Sequence, residues 1–450
     1  MSARRTWAFL AVSVVMVMLL AACAPAATPA PAATSAPAAT QAPAKSVELT
    51  VWTRFPEMEK LLREVGELYT KDHPNVKVTV TLFAQRALDD KIAVALPAGE
   101  AADLIENGAV SVYPFYAQGF LEPVPKDLVD WLKQHVSKDM IESGADGVVF
   151  AVPFFTGIQA LYYNADYFKA AGLTRCPQTL DELVDYAQKL TKRDDKGNIT
   201  VSGFGLRLAG GGYGVAEKFW ALAMIPYGVR PVVKVDGGWK PGYDVEGGSK
   251  ALQLYLDGLY KYKFDSPDVK HDAEGFGLGA LAMFQRESWV IGTLASTYPN
   301  INYGTCLMVK GPKGWGTNGG PSDLAVSKNS KNKDVAWDFV KFVMTPENQL
   351  KLLADTGWLP TRTDADYSSV LNKQPAFKAF LDSMSTPGYE VQLYPMIEPS
   401  QEVVGKMADA LVPAFANPAL ANDPAGVQKV VSGMIETTKQ ILSDYKLLAK

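Results

Sequence analysis

Apolar positions fall along this chain in three regimes. Residues 7–20 form an uncharged, strongly apolar run behind Arg4 and Arg5, the arrangement of a secretory signal and short for a membrane span. Residues 24–44 contain only Ala, Pro, Thr, Ser and Gln. Lacking charge and large apolar side chains, they cannot bury enough surface to fold, and their prolines favour an extended polyproline II tether. At about 3.1 Å per residue such a tether reaches roughly 65 Å. From residue 45 onward the pattern is that of a globular chain.

Residues 47–52 (VELTVW) read as a strand. Helical spacing follows at Met58, Leu61, Leu62, Val65, Leu68 and Tyr69, is broken at Asp72-His73-Pro74-Asn75, and gives way to alternation over 76–83, a second strand. The pattern then predicts a helix over 85–96, a short strand at 103–105, and separate strands at 148–155 and 161–163. This alternation argues for an α/β fold with a parallel sheet covered by helices on both faces. Thr179-Leu180-Asp181-Glu182 reads as a capping box opening a helix to Leu190. A strand over 202–206 and helices over 215–224 and 249–262 follow. The tail reads as helical at 333–343, 346–353, 375–384, 401–416 and 425–448.

Length changes the picture next. Beyond the tether about 406 residues remain, too many for one core and suited to two domains. The formal charge of −4 becomes −6 once Arg4 and Arg5 leave with the signal, which argues against a nucleic-acid partner. Leu20-Ala21-Ala22-Cys23 resembles a bacterial lipobox, so residues 1–22 are expected to be removed and Cys23 lipidated. The remaining cysteines, Cys176 and Cys306, either pair or stay as two buried thiols.

Catalytic chemistry finds little support. His73, His135 and His271 are the only histidines, and none has a second metal ligand at useful spacing. No nucleophile elbow or phosphate loop is present, and Asp194-Asp195-Lys196-Gly197-Asn198 fails the calcium-loop spacing and reads as a solvated turn. A carboxylate pair formed in space stays open.

Taken in order, several segments resemble the family 1 extracellular solute-binding proteins of ABC importers, the maltose-binding-protein-like group. They are VELTVW at 47–52, ADLIENG at 102–108, AVPFFTGIQALYYN at 151–164, CPQTLDELVDYAQKL at 176–190, GALAMFQRESWVIGTL at 279–294, SDLAVSKNSKNKDVAWDFVKFVMTPENQ at 322–349 and TGWLPTR at 356–362. The resemblance implies a two-lobe α/β periplasmic-binding-protein-like fold with a hinge and a ligand cleft between lobes. It places lobe 1 at 45–156 and 322–371 and lobe 2 at 157–321 and 372–450, after a tether at 23–44. It further implies a non-enzymatic monomer without cofactor or metal, held outside the cell membrane by lipidated Cys23 and delivering a solute, a carbohydrate above all, to permease subunits. There are departures: Gly157 stands where many relatives carry an acid, Gln159 where an Arg is frequent, and Glu287-Ser288-Trp289 replaces a Gly-Pro-Trp pattern.

A sugar site needs flat apolar faces and fixed polar groups at its rim. Trp289 and Trp358 are the stacking candidates, since each sits in a pattern that faces the cleft in relatives; Tyr213, in a Gly-rich turn before a helix, and Tyr394 join them. Trp52 and Trp337 read as core, Trp131 and Trp239 as surface or packing residues. Arg54 and Phe55 follow the first strand and Asn107 the third, where open α/β folds bind ligands. Thr156, Gln159, Glu217 and Glu398 complete the candidates. Rival readings are an anionic solute such as a polyol phosphate or uronate, clamped by Arg54, an exported glycoside hydrolase, and a protein presenting its ligand to a sensor.

Overall fold

The computed structural model describes residues 46–210 and 213–450; the signal segment, Cys23 and the tether lie outside the described residues. Strand β1 (Val47–Thr53) leads through the helix Pro56–Asp72 into β2 (Val76–Leu82), and the helix Gln85–Ala98 leads to β3 (Leu104–Gly108). The first helix buries Met58, Leu61, Leu62, Val65 and Tyr69 as its spacing predicts, whereas Leu68 is 39% exposed at the edge of the stripe. A short β4 (Leu121–Glu122) precedes β5 (Val152–Asn164).

Strand β5 corrects the expectation of two separate strands. It is one 13-residue strand, and it hides from periodicity because both its faces are covered: Ile158 and Tyr162 point into one core and Leu161 into another. Buried on both sides, such a strand shows no alternation. The chain continues through two hairpins, β6 (Lys192–Arg193) with β7 (Ile199–Val201) and β8 (Val232–Val235) with β9 (Gly238–Pro241). The first hairpin contains the calcium-like stretch, where the Asp194 carboxylate accepts the N–H groups of Lys196 and Asn198 at 2.9 and 2.8 Å. Then come β10 (Met283–Glu287), β11 (Tyr303–Cys306), β12 (Gly316–Ser327), β13 (Leu359–Pro360) and β14 (Glu390–Leu393).

The main sheet has the order β10-β5-β12-β3-β1-β2. β1 is parallel to β2 and β3, but β12 runs antiparallel to both β3 and β5, and β10 antiparallel to β5. The sheet is therefore mixed, not parallel. A parallel neighbour needs a crossover helix, whereas β12 returns from far along the chain and inserts between β3 and β5. Residues 202–206 form no strand either. They make isolated bridges from Ser202 to Leu281 and from Gly205 to Phe284, and Gly203 lies so close to the helix Leu180–Leu190 that a Cβ would run into the carbonyl of Ala187.

That helix opens as read. The Thr179 hydroxyl accepts from the Glu182 N–H at 3.2 Å, while the Glu182 carboxylate closes the box on the Gln178 N–H at 2.7 Å. In the tail, Lys333–Val343, Pro346–Thr356, Ser400–Phe415 and Pro424–Asp444 are helices, and 375–384 starts as a 3₁₀ turn, Pro375–Phe377, before the helix Lys378–Ser383.

The molecule has the two-lobe architecture, with separate cores. One gathers Leu49, Leu62, Leu104, Phe154, Leu324, Trp337 and Phe339 around β1–β3; another gathers Leu183, Phe219, Trp220, Tyr255, Leu411 and Phe415 among the later helices. A third packs Ile158, Tyr162, Phe284, Leu353 and Leu359 beside β10. Trp131 packs against the first core, Trp239 against a small cluster with Val232 and Leu442, and Trp52 lies half-buried on the edge of Phe83 at 5.4 Å.

Cys176 and Cys306 form a disulfide with Cα atoms 6.3 Å apart, closing a span of 130 residues. Both half-cystines attach to the second core. Closing so long a loop restricts the unfolded chain, so replacing both by Ala is expected to cost about 2–4 kcal/mol. Chemical denaturation of the Cys176→Ala/Cys306→Ala variant against the oxidised parent measures this, and an unchanged midpoint would refute it.

Candidate functional site

The carboxyl ends of β1 and β3 lie beside the middle of β5 and β12. Arg54 leaves the end of β1 and folds its guanidinium back over the sheet: Nη1 donates to Asn107 Oδ1 at 2.7 Å, Nη2 to Ser322 Oγ at 2.8 Å, and Nε lies 3.5 Å from Glu106 Oε1. Glu106 is fully buried and also accepts from the hydroxyls of Thr53 and Ser322. The next carboxyl along β12 is Asp323. Burial pushes it well above the carboxylate range; Arg54 opposes that rise and Glu106 adds to it. Glu142 is raised in the same direction by burial and by Asp323. Asn107 is not beyond the third strand, as expected, but within β3, fully buried, and it passes the network on to Asp89 through Nδ2 at 2.9 Å.

Aromatic groups cover this polar base. Phe55, the residue preceding the helix Pro56–Asp72, stands 5.2 Å from the Trp358 ring and 6.2 Å from Phe155, with the Arg54 guanidinium 4.8 Å above it. Trp358 is 8% exposed, its indole N–H donating to Glu57 at 2.9 Å. Packing thus takes most of its surface. Its ring edge crosses over Gly157, where a Cβ would stand 2.8 Å from Cζ3 and 3.5 Å from Cγ of Glu287. The missing side chain at Gly157 is therefore filled by these two neighbours.

Glu287 ends β10 and forms a buried ion pair with Lys218, itself 1% exposed. Burial would raise the Glu287 carboxyl, but Lys218 and then Arg286 outweigh it and hold the group at about 2. Arg286 lies 3.1 Å from Glu287 and 2.6 Å from Asp272, and its guanidinium is 5.1 Å from the ring of Trp289. Trp289 opens the helix Trp289–Thr297, is half-buried, and donates its indole N–H to Glu287 at 3.3 Å.

The far wall comes from the second core. Tyr213 precedes the helix Gly214–Phe219, stands edge-on to Tyr394 at 6.3 Å and accepts at its hydroxyl from Gln85 Nε2 at 2.9 Å. Burial and then Glu217 push the Tyr213 phenol up to about 12. Tyr394 donates to Glu217 and packs edge-on to Trp220 at 5.3 Å.

The structure therefore brings Arg54, Phe55, Asn107, Trp289, Trp358, Tyr213, Glu217 and Tyr394 into one connected group. Thr156 and Gln159 belong to its framework: the Thr156 hydroxyl donates to the Gly320 carbonyl at 3.0 Å, and Gln159 donates to Asn318 at 2.6 Å with both side chains buried. Glu398 is exposed and neighbours Tyr445 instead. Glu57, Gln85, Glu106 and Lys218 were not singled out from sequence, and Glu287 was noted there only as a departure from a Gly-Pro-Trp pattern. Glu106 adjoins the candidate Asn107, but nothing local to Gln85 or Glu57 marks them. Two surface grooves, of about 380 Å³ between the helices Ser400–Phe415 and Pro424–Asp444 and about 390 Å³ along Leu180–Leu190, contain none of this group.

The chain is similar to known proteins in sequence and in fold. The maltotriose-binding protein of Pyrococcus abyssi is 23% identical over 353 residues, 74% of this chain and 71% of its own length. The sn-glycerol-3-phosphate-binding periplasmic protein of Pectobacterium atrosepticum is 26% identical over 340 residues, covering 69% of this chain and 72% of its own. Among solved structures, the GacH receptor of Streptomyces glaucescens, crystallised unliganded and with acarbose, superposes with a TM-score of 0.74 at 21% identity over 89% of this chain and 99% of that one. The sequence pattern of one family, bacterial extracellular solute-binding protein, matches residues 53–350. The chain belongs to that bacterial extracellular solute-binding protein family.

Proposed function

We propose that this protein captures a neutral carbohydrate outside the cell membrane and delivers it to the permease of an ABC importer, tethered there by lipidated Cys23. The observation that carries the neutral-sugar reading is the charge pairing at the site. Arg54 faces Glu106, Lys218 faces Glu287, and Arg286 faces Asp272 and Glu287. Each cation is thus matched by a carboxylate, which leaves the aromatic faces and the neutral rim to choose the solute. The relatives' names, binding proteins throughout, support a role without catalysis. Lobe 1 is taken as residues 45–156 and 322–371 and lobe 2 as 157–321 and 372–450. Two of the crossings then meet on paired strands, where Thr156 stands opposite Pro321 and Gly157 opposite Gly320.

A second reading, an anionic solute clamped by Arg54, is favoured by the glycerol-phosphate-binding relative. Against it stands the position of Arg54, whose side chain is 9% exposed and already committed to Glu106, Asn107 and Ser322.

Calorimetry with maltotriose, mannobiose, glycerol 3-phosphate and glucuronate separates the two readings. A neutral sugar is expected to bind with an affinity indifferent to salt, because no net charge is exchanged. Trp289→Ala is expected to weaken that binding by about 2 kcal/mol or more, the scale of a buried aromatic anchor. Binding of the two anions alone, weakening with salt, would overturn the proposal. For the anchor, Cys23→Ala is expected to release the protein from membranes; a variant that stays membrane-bound through a high-salt wash would refute lipidation.

A further inference from the structure

Contacts between the two lobes differ in kind from those within them. On the boundaries above, every ion pair among the described residues lies inside one lobe. Apart from the Thr156 hydroxyl on the Gly320 carbonyl at the strand crossing itself, two hydrogen bonds between side chains cross among the described residues: Gln85 Nε2 to the Tyr213 hydroxyl at 2.9 Å, and Gln401 Nε2 to Ser111 Oγ at 2.6 Å. Both join a glutamine amide to a hydroxyl, and neither involves a charge.

The Gln85 bond stands at the site itself. Gln85 is the first residue of the helix Gln85–Ala98, is exposed, and meets the aromatic group through its hydrogen bond to Tyr213. Tyr213 stands edge-on to Tyr394 on its own side, while Arg54 and Asp89 from the other lobe lie within electrostatic reach. Tyr213 therefore spans the cleft, and Gln85 holds its outer end.

From this geometry we infer that Gln85 is a positioning residue for solute capture: by fastening the Tyr213 hydroxyl across the cleft it latches the lobes together without touching the solute. This rests on the two-lobe capture reading above. A single neutral hydrogen bond between an exposed amide and a half-buried phenol is a weak latch, stabilising the closed arrangement about two- to tenfold. That magnitude suits a carrier that must also release, since a tighter bond would hold the lobes shut on an empty cleft. Because the latch carries no charge, salt does not loosen it.

The test is the distance between spin labels at Asp90→Cys and Ala209→Cys in the full-length protein, with the Cys176–Cys306 disulfide left oxidised. The parent is expected to show a short-distance population, and Gln85→Ala and Tyr213→Phe each to reduce it about two- to tenfold, with the double variant no worse than either single one. Unchanged distances in both variants, additive losses, or a parent without the short population would each overturn the latch. Maltotriose added to the labelled parent tests the other reading separately. Failure of any sugar to bind would sink the carbohydrate proposal while leaving the label distances of the unliganded protein to judge Gln85.

Discussion

The pairing of β5 with β12 is the constraint on which the rest of the molecule depends. β5 runs from the first core, through Phe154, to the second, through Leu161, and it pairs with β12 from Val152 with Leu324 to Ile158 with Gly319, slipping register once between Ser322 and Asp323. An antiparallel ladder ties each residue to its partner along its whole length, so the lobes cannot separate without breaking it. The close approach of these strands also requires glycine: a Cβ at Gly319 would run into the Gly157 carbonyl, and one at Gly157 would meet Trp358. The same bare backbone thus joins the lobes and supports the rings above it.

Each candidate side chain takes its direction from this pair. β3 lies against β12, which brings Asn107 opposite Asp323 and Ser322 under the Arg54 guanidinium. β10 lies against the other half of β5 and sets Glu287 opposite Gln159. Glu106, Asn107, Ser322 and Glu287 are accordingly built on strands and held with the precision of a ladder, while Lys218 meets Glu287 from the helix Gly214–Phe219. Arg54, Phe55, Tyr213, Trp358 and Tyr394 reach the group from positions outside the strands and helices.

How much of this was legible in the sequence depended on local periodicity. The helices Pro56–Asp72 and Lys333–Val343 and the strands β1 and β2 were readable because one face of each is buried and the other wet. β5 and β12 were not, since burial on both faces erases alternation, and the mixed direction of the sheet followed from a partner more than 150 residues away, as the Thr156–Gly320 contact shows with its separation of 164. The same distance effect separates the site residues. Arg54, Phe55 and Trp289 could be named because they end or begin elements beside quoted patterns. Lys218 could not, because its partner Glu287 lies 69 residues further on, and the disulfide stayed an open alternative until the fold brought its halves together.

The buried acids behind Arg54 have a consequence for folding itself. Both are shifted toward the protonated form, Glu142 by burial and by Asp323, and Asp323 by burial with Glu106 adding to it against Arg54, whereas in the unfolded chain each would ionise as an ordinary carboxyl. Folding at neutral pH is therefore coupled to proton uptake, and the native molecule is less negative than its formal charge. By linkage, the stability this contributes is complete in acid below the unfolded carboxyl range and is surrendered as the pH rises through the pair's own titration. The interior beside the solute cleft is in this sense an acid-adapted one, within a surface whose paired carboxylates lean the other way.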